Sequence, residues 1–133
     1  MNKLLYKLII SFAAVLLMVS PALAQIPDDL VLSFKFGNDK TLSGYFNQNI
    51  ELVVPGHDDV FSKSQAQQLV ARFFKENMPE SFSIIHQGSS GNEGARYAIG
   101  TLVTAKGNFR VYFLLKTTNN KAVIHQLRIE KQG

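Results

Sequence analysis

The spacing of apolar residues along this chain changes near residue 80, from a helical period to an extended one. In residues 25–47, Leu30 and Phe34 lie one turn apart, Gly37-Asn38 interrupts, and Leu42 with Phe46 resumes the same spacing. That pattern predicts two short helices bent at Gly37. Pro27 stands where a first helical turn tolerates proline, and Asp28 and Asp29 suit the positive end of the helix dipole. Asn49 to Val54 is β-branched and closed by Pro55-Gly56, which predicts a strand running into a turn, with His57-Asp58-Asp59 as polar turn residues. Ala66, Leu69, Val70, Phe73 and Phe74 then form a helical stripe. Ser62 and Gln65 supply a capping box at its start, and Pro79 stops it. A Phe-Phe stripe of this kind belongs to a core more often than to a ligand pocket.

From Ser81 the period is two. Phe82, Ile84 and His86 alternate with Ser83, Ile85 and Gln87, which predicts a strand with His86 on the apolar, inward face. Gly88 to Gly94 reads as a loop. Residues 95–104 and 108–117 form a hairpin about Lys106-Gly107, with Leu102 expected opposite Val111, Gly100 opposite Phe113 and Ala98 opposite Leu115. One hairpin face carries Leu102, Phe109, Val111, Phe113 and Leu115, and should take the helices. The other carries Tyr97, Ile99, Thr101 and Val103 beside Arg110, Tyr112, Leu114 and Lys116. A further turn through Thr118-Asn119-Asn120 leads to a last strand, Ala122 to Lys131. Its register stays open, because two- and three-residue loops both fit and a single step turns every side chain over. Helices, a strand, a helix and a four-strand meander predict an α+β architecture, with N-terminal helices packed on one face of a curved antiparallel sheet.

Residues 1–24 follow a different logic. Lys3 and Lys7 precede the apolar run Leu8 to Val19, Pro21 breaks it, and Ala22-Leu23-Ala24 is a small-x-small cleavage signature. The run falls short of the roughly 20 residues a resident span needs, so a cleaved secretory signal peptide is expected, with the mature chain beginning near Gln25. The expected organisation is a signal peptide, 1–24, and a single domain, 25–133, exported to the periplasm or secreted without a stable membrane anchor.

Composition narrows the function. Of 133 residues, the mature chain would keep 109, enough for one compact domain. Loss of Lys3 and Lys7 leaves 12 of the 14 basic residues against 10 acidic ones, so the net charge falls to +2. That is no electrostatic footprint for nucleic acid. The chain has no cysteine, so an exported domain must rest on its core alone, and lipidated cysteine, thiol nucleophile and thiolate metal site are all excluded.

Several segments carry a resemblance. Phe61-Ser62-Lys63-Ser64-Gln65-Ala66, Phe73-Phe74, Ile85-His86-Gln87-Gly88, Tyr97-Ala98-Ile99-Gly100, Phe109-Arg110-Val111-Tyr112 and Leu127-Arg128-Ile129-Glu130 resemble the small exported Bacteroidota proteins of the domain of unknown function 4783. The resemblance runs from about Pro27 to Glu130. It implies export and the nuclear transport factor 2-like, cystatin-like cone fold, and it brings no assigned reaction, cofactor or ligand. A fold reused this widely supplies no function by itself.

The residues offer few chemical sites. An isomerase of the ketosteroid type needs a carboxylate base inside the cone. Of the mature acids, only Glu51 and Glu130 are expected within strands, near strand ends, and the rest at helix ends or in loops. Three histidines, His57, His86 and His125, are too few for a metal site without other ligands. No catalytic set, metal or cofactor is therefore expected. The candidate ligand-binding residues are His86, which could face the interior, and Arg110, Tyr112, His125 and Arg128, of which Arg110, Tyr112 and Arg128 could form an anion-gripping strip if adjacent strands unite them. A core histidine and a solvated sheet face are the structural alternatives. The half-apolar hairpin face, with Tyr97, Ile99, Thr101, Tyr112 and Leu114, is the expected interface of a homodimer. The leading expectation is an exported, non-enzymatic binding module for a small apolar ligand or a protein. The alternative is an enzyme working in the cone cavity with His86 as its titrating group.

Overall fold

The structure, a computed structural model, describes residues 25–91 and 94–133. The expected signal peptide lies outside the described residues, as does Glu93. The first helix, α1 (Asp28–Lys35), opens with Asp28 and Asp29 and buries Leu30, Ser33 and Phe34 on one face. Gly37, at φ +63°, turns the chain, and the Asn38 side chain accepts from the Thr41 amide to cap α2 (Asp39–Gly44).

This second helix stops earlier than the Leu42–Phe46 spacing predicts. Phe46 already belongs to β1 (Phe46–Val54), where it shares the buried phase with Ile50, Leu52 and Val54. A helical step and an extended one both bury Phe46, and polar Gln48 hides the alternation. Pro55-Gly56, with Gly56 at φ +89°, then makes a tight hairpin into β2 (His57–Ser62). His57, Asp58 and Asp59 are therefore strand residues and not a polar turn. They lie on a sheet edge, where exposed charged side chains discourage pairing with other chains. The capping box forms as the sequence predicts, and α3 (Lys63–Glu76) buries Ala66, Val70, Phe73 and Phe74.

Four strands complete a six-stranded sheet: β3 (Pro79–Ser89), β4 (Ala95–Thr104), β5 (Gly107–Thr118) and β6 (Lys121–Lys131). Its order is β2-β1-β6-β5-β4-β3, antiparallel throughout except for the parallel β1–β6 pair. The β4–β5 hairpin turns at Ala105-Lys106, with Thr104 opposite Gly107 and Leu102 opposite Phe109. This differs from the expected pairing by two residues, so every side chain keeps its predicted face. Thr104 Oγ1 fixes the turn, donating to the Gly107 carbonyl at 2.8 Å and accepting from the Lys106 amide at 3.1 Å. The β5–β6 turn is the two-residue Asn119-Asn120, at φ 53° and 62°, the left-handed pair that a tight hairpin of matching twist requires.

The helices cover one face of the sheet, and aromatic rings fill the space between. Phe34 stacks on Phe82 at 4.8 Å and on Phe113 at 5.7 Å between centroids. Phe73 meets Phe109 edge-on at 4.9 Å. Gly100 leaves room for the Phe82 ring, whose carbons would lie 2.6 Å from a Cβ there.

Candidate functional site

The chemistry-bearing side chains gather on the sheet face away from the helices, and two β-bulges decide which of them arrive there. In β3, Ile84 pairs with Gly100 but His86 pairs with Ile99, so Ile85 is an extra residue. The bulge reverses the alternation. His86 therefore faces outward, and neither the inward placement nor the core-histidine reading holds. It is exposed, and its Nε2 lies 2.7 Å from the Tyr97 hydroxyl. Tyr97 crosses Gly88, where a Cβ would meet its hydroxyl at 3.0 Å, and stacks with Tyr112 at 6.4 Å.

The second bulge lies in β6. Leu115 pairs with Ile124 and Leu114 with Gln126, leaving His125 as the extra residue. The shift sets Arg128 opposite Tyr112 and Glu130 opposite Arg110. The structure thus brings Arg110, Tyr112 and Arg128 together, with Ile99 and Glu130, around a hollow of about 340 Å³. Arg128 Nε donates to Glu130 Oε1 at 2.9 Å, with both side chains 52% exposed. An exposed pair of this kind contributes little, and it already occupies part of the guanidinium. Arg128 also borders a second hollow of about 270 Å³, with Glu51, Asp58, Asp59 and Gln126. There Gln126 Nε2 donates to Glu51 Oε2 at 2.7 Å. His125 lines neither hollow. Burial first, then the Lys116 charge, holds its pKa below the usual histidine value.

The residues of the expected interface, Tyr97, Ile99, Thr101, Tyr112 and Leu114, share this outer face and are half-buried among one another. Arg110 and Arg128 stand exposed beside them. The face is a mosaic of aromatic, aliphatic and charged groups. No cluster of three or more histidines, cysteines and carboxylates that could hold a metal ion occurs among the described residues.

Acids are differently placed than expected. Asp58, Asp59 and Glu80 are strand residues, all exposed, where loop or helix-end positions were predicted. Away from the outer face, Asp29 accepts from the Tyr45 hydroxyl at 2.5 Å. Burial, and then that carboxylate, push the Tyr45 pKa up to about 12.

One residue escaped the sequence reading. Arg96 lies in phase with Ala98, Gly100 and Leu102, so it points to the helix-covered face, at the open end of the sheet. It borders a cleft of about 440 Å³ with Gln25, Ile26, Asp28, Val31, Ile84 and Gln87. The period-two pattern of β4 would have placed it there, had the alternation been extended one step.

The comparisons with known proteins agree with this geometry. No curated protein matches the chain. An NTF2-type protein with a long sheet is 18% identical, over 77% of this chain and 94% of its own, with a TM-score of 0.60. A protein of unknown function with a cystatin-like fold, from Nostoc punctiforme, is 13% identical over 77% of this chain and 83% of its own, at TM-score 0.58. These two likenesses establish the fold, nuclear transport factor 2-like and cystatin-like, and nothing further. The crystal structure of a DUF4783 family protein from Bacteroides ovatus is 36% identical, covering 81% of this chain and 96% of that one, at TM-score 0.75. The profile of the domain of unknown function DUF4783 matches residues 27–130, nearly everything described, and the chain belongs to that family.

Proposed function

We propose that the protein is an exported interaction module that carries out no reaction of its own, and that a second copy of the chain closes on its outer sheet face. The observation that carries this reading is the filled interior. Phe34, Phe82 and Phe113 stack where an enzyme of this fold would keep its cavity, and His86, the group an enzyme would have titrated there, lies outside. The outer face supplies what a self-complementary interface uses. Tyr97, Ile99, Tyr112 and Leu114 make an aromatic and aliphatic centre, flanked by Arg110 and Arg128 on one sign and Glu51 and Glu130 on the other. Under a two-fold axis each copy offers acids to the other's arginines, and the patch meets itself. Export rests on the pattern of residues 1–24, and no described helix is long and apolar enough to cross a membrane.

Sedimentation of the protein at micromolar concentration tests the pairing. A dimer is expected, and Leu114→Glu should convert it to a monomer that stays folded, because Leu114 is half-buried on the outer face and not part of the core. A wild-type monomer, or a dimer indifferent to the glutamate, refutes an interface on this face.

A further inference from the structure

We propose that the second copy docks with the two-fold axis running along the strands, between β6 and β5, so that Arg128 of each copy lies over the partner's Tyr112 and Glu130 over the partner's Arg110. This rests on the outer-face dimer proposed above and adds its orientation, which decides the contacts that complete the hollow beside Tyr112.

Strand pairing lays the outer face out in rows. One row runs Asp58, Val53, Arg128, Tyr112, Ile99 and His86, from β2 at one margin of the sheet to β3 at the other. Beside it on one side lie Glu51, Gln126, Leu114 and Tyr97, and on the other Glu130, Arg110 and Thr101. Charge is spread unevenly over these rows. The β1 and β2 strands bring Glu51, Asp58 and Asp59 and no lysine or arginine. Arg110 and Arg128 stand on β5 and β6, and β4 carries no acid.

Two stacked sheets can share a two-fold axis that lies across the strands or along them. An axis across the strands lays β1 on β1 and β2 on β2, so the acids of one copy meet those of the other with no cation between them. Like charges so placed oppose association. An axis along the strands at the midline of the sheet lays β6 on the partner's β5, and β1 on the partner's β4. The acidic strand then meets one without acids. Arg128 comes over the ring of the partner's Tyr112, where a guanidinium is attracted to the aromatic face. Within one copy Glu130 Oε1 already accepts from Arg128 at 2.9 Å, and Arg110 forms no ion pair among the described residues. Glu130 Oε2 is left to meet the partner's Arg110. Farther from the axis, Val53 comes over the partner's Ile99, apolar on apolar. Each contact occurs twice, as a two-fold axis requires.

The chain has no cysteine, so introduced thiols report the orientation cleanly. Val53→Cys/Ile99→Cys, treated with a bis-maleimide that spans about 10 Å, the spacing of stacked sheets, should give a covalent dimer on a denaturing gel. Within one copy the two positions are three strands apart, about 14 Å and beyond that reagent. Neither single variant should cross-link, because each position faces the other and not itself. Arg110→Glu or Glu130→Arg should weaken the dimer by about tenfold or more in sedimentation, and the double exchange should restore most of the affinity. Both side chains are exposed, so this arm stands even if a cysteine variant fails to fold. A dimer that Val53→Cys cross-links by itself has its axis across the strands, and overturns the orientation. So does a dimer in which the paired cysteines never link, or in which the double exchange is as weak as the single ones. Those results leave the outer-face dimer standing, whereas a monomeric wild type removes both.

Discussion

The packing of the helix-covered face turns on Gly100. A Cβ added there would lie 2.6 Å from Cε1 and Cζ of Phe82 and 2.9 Å from the Ser83 carbonyl oxygen. Carbon atoms in contact prefer about 3.5–4.0 Å, so in Gly100→Ala something must move by about an ångström. The ring has nowhere to retreat, because Phe34 stacks on it at 4.8 Å and is itself backed by Phe113. Overpacking of this kind costs about 1–3 kcal/mol. Gly100 has an ordinary strand conformation that alanine accepts, so the lower entropy of the unfolded chain returns about 0.4–1 kcal/mol. The net loss should be about 0.5–2 kcal/mol, or roughly 2–8 °C in Tm for a domain of this size. Urea denaturation with an unchanged m-value would read it as stability alone. Phe82→Leu removes the ring atoms in the way. The double variant should therefore lose less than the two single ones together, by a coupling of about 0.5 kcal/mol or more. A Gly100→Ala protein that melts higher than wild type, or strict additivity with Phe82→Leu, would refute the close approach of ring and backbone.

Three further outcomes follow from particular contacts. Phe73→Ala, which deletes a buried ring set edge-on against Phe109, should cost about 3–5 kcal/mol of a total near 5–15, leaving a barely folded protein by circular dichroism. Tyr45 has its pKa raised from 10.0 to about 12, so its contribution is complete below pH 10 and is lost as pH rises toward 12; Tyr45→Phe should flatten that part of the stability profile relative to wild type. His125 has its pKa lowered from 6.5, so the unfolded chain takes the proton first and stability falls as pH drops below about 6.5. His125→Gln should shrink that fall, and a slope the same as wild type would remove the burial and Lys116 as its cause.

Legibility in the sequence follows the range of the interaction. The α3 helix was readable because its signals are local: Ser62 and Gln65 reach each other across one turn, and Ala66, Val70, Phe73 and Phe74 repeat within the helix. The two faces of the β4–β5 hairpin were readable for the same reason, and the expected pairing missed by an even number of residues, which preserves facing. The β2 strand was not readable. Its side chains are exposed or half-buried, so no apolar alternation marks it, and β1 recruits it through the Pro55-Gly56 turn. Arg96 was missed because a charged residue at a strand end is ordinarily assigned to solvent, whereas its phase assigns it to the helix-covered face.

The two bulges explain what became of the site. A strand that keeps strict alternation repeats its buried positions at two, yet in β6 the fully buried Ile124 and Leu127 are three apart, and Leu127 and Ile129 return to two. In β3 the inward residues Ile84 and Gln87 are likewise three apart, on either side of Ile85 and His86. A spacing of three inside a period-two segment is the mark of one extra residue, and the sequence does contain it. Alternation extended through each segment without that allowance puts His86 and His125 inward, toward a cavity. The extra residue instead leaves both out of the buried set, and in β6 it restores the phase in which Arg128 stands opposite Tyr112. The grouping of Arg110, Tyr112 and Arg128 thus depends on a single inserted residue at His125. Removing that residue would turn either Ile124 or Arg128 to the wrong face, so the bulge is tied to the core and the outer surface at once.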